Sequence, residues 1–175
     1  MTMDLHEYIA SIPDFPKPGI TFRDITPLLA DTKAFKFTIH ELAAYAKEKG
    51  ATVIVAPESR GFLLGTPMAF ELGVGFVPAR KPGKLPRGTV SESYTLEYGS
   101  ATLEMNSDSI KPGDKVVVVD DLLATGGTIA ATNKLIERLG GEVVGLAFLI
   151  ELTELQGREV LKDYDIKTLL TYEGE

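Results

Sequence analysis

Asp120 and Asp121 are adjacent carboxylates, and four residues beyond the second of them the chain reads Thr125-Gly126-Gly127-Thr128. Carboxylates accept hydrogen bonds from hydroxyl groups, and each such charge-assisted pair is worth about 1.5–3 kcal/mol. Gly126 and Gly127 permit positive φ and carry no Cβ, so successive N–H groups can converge on an anion. Thr125 and Thr128 add hydroxyls, and a helical pattern over Ile129 to Leu139 supplies unpaired first-turn amides at the positive end of its dipole. A phosphate is held by such a corner without a lysine. The carboxylates would repel that phosphate on contact, so they belong one sugar away, on vicinal hydroxyls. The spacing suits a ribose 5-phosphate.

Two further stretches carry chemistry. Glu58-Ser59-Arg60-Gly61-Phe62 combines an arginine, whose planar fork matches phosphate oxygens, with a serine and a glycine at a helix start. Arg80-Lys81-Pro82-Gly83-Lys84-Leu85-Pro86-Arg87 holds four positive charges and no carboxylate. A Walker-type phosphate loop is excluded, because no Gly-Lys-Ser/Thr follows the glycines, and there is no Gly-x-Gly-x-x-Gly fingerprint.

These residues need elements to hold them. Val116 to Val119 are four consecutive valines without polar alternation, which predicts a strand buried on both faces in a parallel sheet under helices. Thr52–Ala56, Gly75–Ala79 and Glu142–Ile150 predict further buried strands, and Ile166–Thr171 an edge strand. Phe35, Ile39, Leu42 and Ala46 recur with a 3.6-residue period inside a helix expected over Thr32 to Lys49, with Gly50 just past its end. Another helix runs to about Leu72, and a last one is expected over 153–162. Residues 2 to about 10 read as a short amphipathic helix, 13–19 as a proline-rich turn, 20–25 as strand-like, and 88–106 as a hairpin about Gly99-Ser100. The expected fold is a doubly wound α/β domain over 1–175 with a mostly parallel sheet of about five strands.

Composition excludes several classes. The net charge of −7 argues against broad nucleic-acid binding, so an anionic substrate must meet local cations. No apolar run approaches the length of a membrane span, and MTMDLHEYIA lacks the basic-then-apolar pattern of a signal peptide, so a cytoplasmic protein without membrane contact is expected. The absence of cysteine removes disulfides, thiolate metal sites and thiol nucleophiles, and the two histidines, His6 and His40, lie away from the carboxylates.

The run VVVVDDLLATGGT resembles the phosphoribosyl-pyrophosphate (PRPP) signature of type I phosphoribosyltransferases, in a version similar to that of the adenine-specific branch. The resemblance extends over roughly Pro13 to Tyr172. It implies that Ala124, Thr125, Gly126, Gly127 and Thr128 hold the 5′-phosphate and that Asp120 and Asp121 hold the ribose as part of the catalytic set. The E-S-R-G-F phrase resembles the family's pyrophosphate loop, implying roles for Ser59 and Arg60, and cations at Arg80, Lys81 and Lys84 would join them, in some relatives across a dimer interface. That loop often contains a cis peptide before or at the serine. FPKPGITFRDITPLL resembles an amino-terminal hood, assigned to 1–30, in which backbone groups at Thr21 and Arg23 read the base, with Leu122 also facing it. Thr21 departs from the apolar residue common there. SYTLEYG resembles the mobile flap, assigned to 88–106, with Glu97 as proton partner of the purine and Tyr98 helping to close the site.

The implied reaction joins adenine and PRPP to give AMP and pyrophosphate, with Mg²⁺ held mainly by PRPP oxygens and water and no direct protein ligands, in a homodimer. Two alternatives stay open. One is another purine acceptor such as hypoxanthine, guanine or xanthine. The other is a PRPP-sensing regulator without catalysis, although such regulators usually carry a basic DNA-binding segment and this chain has none.

Overall fold

The computed structural model describes residues 2–96 and 98–174. At the amino terminus a single 3₁₀ turn, Leu5–Tyr8, is capped by the Asp4 carboxylate and leads into strand β1 (Ala10–Ile12). β1 pairs antiparallel with β2 (Phe22–Asp24), so the helix expected over 2–10 is replaced by a turn and a strand. The reason is tertiary: Ala10 to Ile12 find backbone partners in Asp24 to Phe22, which a helix would forgo. A short helix, α1 (Thr26–Ala30), starts with Pro27 in its first turn. Helix α2 (Thr32–Glu48) follows, capped by Asp31, whose carboxylate accepts the Ala34 amide at 2.9 Å. Gly50 has φ 74° just past its end, as the pattern predicts.

The central elements then alternate. They are β3 (Val53–Pro57), α3 (Arg60–Leu72), β4 (Gly75–Ala79), the hairpin β5 (Thr89–Thr95) and β6 (Ser100–Asn106), β7 (Lys115–Leu123), α4 (Gly127–Arg138) and β8 (Glu142–Leu152). The chain closes with a 3₁₀ turn Thr153–Leu155, a short α5 (Gly157–Val160) and β9 (Ile166–Tyr172). The single helix expected over 153–162 is therefore two short turns, broken where Gln156 adopts φ 54°.

β4-β3-β7-β8-β9 form one sheet, parallel at every pairing. Val116 to Val119 of β7 are fully buried at its centre, each worth about 1.5–3 kcal/mol by burial of its side chain. Their alternation splits the core. Val117 and Val119 pack with Leu42 of α2 and Leu64 and Met68 of α3 on one face. Val116 and Val118 pack with Leu135 and Ile136 of α4 and with Leu103 and Met105 of β6 on the other. Because β3, β4 and β7 run in the same direction, the turns after Pro57, Ala79 and Leu123 emerge at one edge of the sheet. Among the described residues no helix is long and apolar enough to cross a membrane.

Candidate active site at the carboxyl edge of the sheet

β7 ends at Leu123, and the chain turns through Gly126, with φ 91°, into the first turn of α4. No side chain caps α4, and none caps α3 at Ser59, so no side chain competes with an anion for the first-turn amides of either helix. Asp120 and the run Leu122 to Ile129, which includes Ala124, Thr125, Gly126, Gly127 and Thr128, line a pocket of about 90 Å³. Gly157 backs this loop closely: a Cβ placed on it would lie 2.5 Å from the Ala124 carbonyl oxygen and 2.7 Å from Leu123 Cδ1. The break at Gln156 is what brings that glycine there.

The two carboxylates sit in the last turns of β7's pleat and have different environments. Asp121 is 4 % exposed, and its Oδ2 accepts a hydrogen bond from Arg60 Nε at 2.6 Å. Asp120 Oδ1 accepts the backbone N–H of Asp121 at 2.8 Å, and Gly61 packs against the same oxygen, where an added Cβ would approach to 3.1 Å. Desolvation, followed by the neighbouring Asp121 carboxylate, pushes the Asp120 carboxyl well above the usual range. Arg60, the first residue of α3, reaches across from the turn after β3 to Asp121.

The turn after β3 contains a cis peptide between Glu58 and Ser59. Glu58 is 12 % exposed, and its Oε1 accepts both the Lys81 amide at 2.8 Å and Arg80 Nε at 3.1 Å. Burial alone would raise the Glu58 carboxyl, but the Lys81 amide and the Arg80 guanidinium outweigh it and hold the group below its ordinary value. The structure therefore brings Ser59, Arg60, Arg80, Lys81 and Lys84 to one side of the site, with Arg80 engaged by Glu58 and Lys81 and Lys84 exposed.

The amino-terminal segment divides its side chains. The Phe22 ring lies 5.5 Å from the Arg60 guanidinium carbon and meets Phe15 edge-on at 5.4 Å. Thr21 and Arg23 face the other way, into a separate cavity of about 140 Å³ shared with Leu152, Glu154 and Tyr172. Arg23 stacks 4.0 Å above the Tyr172 ring and donates to Ser11 Oγ at 2.5 Å. Their side chains are thus kept apart from Asp120 and Thr128. β2 is paired on one edge only, with β1, which leaves backbone groups of this segment on its other edge.

The β5–β6 hairpin is rooted on α4. Tyr94 OH lies 3.2 Å from Thr128 Oγ1, and its ring passes 3.6 Å from where a Cβ on Gly127 would stand. Arg138 of α4 donates to the Ser91 carbonyl at 2.6 Å and pairs with Glu92. At the tip the Leu96 amide bonds the Gly99 carbonyl at 2.9 Å, and Tyr98 is 88 % exposed, away from the carboxylates. Glu97 lies outside the described residues.

Four residues at the site carry no assignment from the sequence: Phe22, Glu58, Tyr94 and Gly157. Phe22 and Glu58 fall inside recognisable phrases, where an aromatic between two polar neighbours and a carboxylate before the arginine were available signals. Tyr94 and Gly157 act through contacts distant in sequence, for which no local signal exists.

The family model described as "Phosphoribosyl transferase domain" matches residues 28–173. The chain is 63% identical over 174 residues to the adenine phosphoribosyltransferase of Lactobacillus gasseri, covering 99% of each. Among solved structures it is similar to adenine phosphoribosyltransferase from Thermoanaerobacter pseudethanolicus, at TM-score 0.93 and 54% identity over 97% of this chain and 98% of that one. It also resembles the Giardia lamblia enzyme complexed with 9-deazaadenine, at TM-score 0.91 and 37% identity over 98% and 99% of the two chains. With the pocket after β7, the paired carboxylates and the arginine turn all in place, the chain belongs to the phosphoribosyltransferase family, in its adenine phosphoribosyltransferase branch.

Proposed function

We propose that the protein transfers the 5-phosphoribosyl group of PRPP to adenine, forming AMP and releasing pyrophosphate in purine salvage. The observation that carries this is the small pocket lined by Asp120 and Leu122 to Ile129, where uncapped amides adjoin a carboxylate pair already engaged by Arg60. In the reaction the bond from the anomeric carbon to the pyrophosphate oxygen breaks, a bond to purine N9 forms, and the N9 proton leaves. The transition state has oxocarbenium character, and no covalent enzyme intermediate is needed.

Each group has one task. The amides of 125–128 and the Thr125 and Thr128 hydroxyls fix the 5′-phosphate, and Asp120 and Asp121 accept from the ribose hydroxyls. Ser59, Arg60, Lys81 and Lys84 receive the diphosphate, with Arg80 bracing the loop through Glu58. Segment 1–30 serves as hood, with backbone at Thr21 and Arg23 toward the base edge and Leu122 beneath it. The Phe22 ring, on the Arg60 side of the hood, supports a stacking role. Segment 88–106 is the flap that excludes water from the developing sugar cation, carrying Glu97 as proton partner and Tyr98 at its tip. Positioning and electrostatics then supply the acceleration.

Magnesium belongs to the proposal. Arg60 is paired with Asp121 and Arg80 with Glu58, which leaves Lys81 and Lys84 to face a diphosphate of greater negative charge. The carboxylate oxygens of Asp120 and Asp121 are hard donors that suit a hydrated magnesium ion held chiefly on substrate oxygens. When bound, the ion balances the charge of the departing pyrophosphate.

The protein acts in the cytoplasm, where so highly charged a substrate remains, and as a homodimer. An apolar groove of about 1060 Å³ between α2 and α3, flanked by Phe70 at 88 % and Leu63 at 44 % exposure, supports association with a second copy. A competition assay with Mg²⁺ and PRPP, offering adenine beside hypoxanthine, guanine, xanthine and orotate, tests the reaction. AMP as the dominant product is expected, and preference for another base overturns it.

A further inference from the structure

The cationic loop after β4 is strung between two carboxylates. On one side the Glu58 amide donates to the Ala79 carbonyl at 2.9 Å, while Glu58 Oε1 accepts from the Lys81 amide and from Arg80 Nε. On the other side Arg80 and Glu104 of β6 exchange backbone hydrogen bonds at 2.9 and 2.7 Å, and Glu104 Oε1 accepts the Gly83 amide at 3.2 Å. The Arg80 guanidinium rests 5.7 Å from the Phe62 ring of α3, so its body is packed as well as paired. Lys81 and Lys84 have exposed side chains.

We propose that Glu58 is a positioning residue for pyrophosphate recognition. Its carboxylate commits Arg80 to bracing the loop and fixes the loop backbone at Lys81, so that Lys81 and Lys84, rather than Arg80, meet the diphosphate. Glu58 also precedes Ser59 and Arg60 directly. The same side chain thus helps set the relative placement of the two pyrophosphate-binding segments, together with the strand pairing of β3 with β4, the Glu58 amide on the Ala79 carbonyl and the Arg80 guanidinium on the Phe62 ring. A carboxylate in an anion site costs attraction, and its nearly buried, fully engaged oxygen shows what is gained in return: one amide and one guanidinium held on a single acceptor. This inference rests on the assignment of 59–60 and 80–84 to pyrophosphate.

The test uses Glu58→Ala and Glu58→Gln in the full chain, with inorganic pyrophosphate plus Mg²⁺ as the calorimetric probe and the KM values for PRPP and adenine measured separately. Glutamine keeps an acceptor oxygen for the Lys81 amide and loses only the charge pair with Arg80. Pyrophosphate binding is expected to weaken about tenfold or more in the alanine variant and less in the glutamine variant, with KM for PRPP following and KM for adenine unchanged. Wild-type affinity in Glu58→Ala, or tighter binding in Glu58→Gln through a freed Arg80, overturns the inference. So does an equal rise in both KM values. Should the alanine variant fail to fold, the glutamine variant alone decides. Failure of wild-type protein to make AMP while it still binds pyrophosphate would instead count against the proposed reaction.

Discussion

Arg60 and Asp121 are hydrogen-bonded, Nε to Oδ2 at 2.6 Å. The side chain assigned to the leaving diphosphate and the one assigned to the ribose therefore hold each other, and both must take up new partners when PRPP enters. The pair keeps a nearly buried carboxylate from standing alone.

Removing either partner should separate their roles. Arg60→Ala is expected to lower kcat/KM by at least tenfold, corresponding to about 1.5–3 kcal/mol of lost transition-state stabilisation. Asp121→Asn should raise KM for PRPP while leaving circular dichroism and adenine binding unchanged. Steady-state kinetics check both, and wild-type PRPP kinetics in Asp121→Asn would remove its ribose assignment.

The contact between Tyr94 and Thr128 links the β5–β6 hairpin to the proposed phosphate loop. Tyr94→Phe keeps the ring packed near Gly127 and deletes only the hydroxyl, so KM for PRPP should rise by about two- to fivefold, in line with one neutral hydrogen bond. Deleting the hairpin tip should do more. The ratio of PRPP hydrolysis to AMP formation is expected to rise, and a normal ratio would mean that the hairpin is not a lid.

Gly157 tolerates no side chain. Alanine there places a methyl 2.5 Å from the Ala124 carbonyl oxygen, and overpacking of this kind costs about 1–3 kcal/mol. Because the atom struck is backbone of the phosphate loop, AMP affinity should fall together with the melting temperature. Calorimetry and thermal denaturation test this, and loss of stability with unchanged AMP binding would assign Gly157 to packing alone.

The amino-terminal segment has a pH-sensitive anchor. His6 Nδ1 lies 2.9 Å from Asp4 Oδ1, Nε2 lies 3.3 Å from the Thr171 carbonyl, and the ring meets Tyr172 edge-on. The bond to Asp4 chiefly, and that to Thr171 next, raise the imidazole above its ordinary value. A raised value means that the protonated form favours the folded state. Its contribution is complete below the unfolded value of about 6.5 and is lost as pH climbs through the raised one. The ring is about half exposed, so the effect is small. His6→Gln should flatten that part of the stability profile, and identical pH dependence of melting in both proteins would discount the anchor.

Phe70 projects from α3 beside the apolar groove. Phe70→Asp should shift the protein from dimer to monomer in sedimentation velocity, since a charge desolvated at an apolar interface is strongly unfavourable. A wild-type sedimentation coefficient would overturn the proposed association through this groove.

Much of this molecule is written locally. Val116 to Val119 have no polar alternation, and they become the buried centre of a wholly parallel sheet because only burial on both faces satisfies such a run. Phe35, Ile39, Leu42 and Ala46 give α2 its period, and Asp31 and Gly50 give it its ends. Where expectation and structure part, distant partners decide. Residues 10–12 become a strand because 22–24 pair with them, and the helix expected over 153–162 breaks so that Gly157 can press beneath Ala124.

By itself the sequence determined the strand order of chemistry: carboxylates, then glycine corner, then helix, together with the arginine turn and the cationic loop, because turn, cap and burial preferences act over a few neighbouring residues. Only the tertiary structure decided which of these groups meet. That Arg60 lies on Asp121, that Glu58 holds Arg80 and Lys81, and that Tyr94 touches Thr128 follow from three parallel strands delivering their turns to one edge. Contacts 22 to 61 residues apart leave no mark in local spacing, since their geometry exists only once the sheet has assembled.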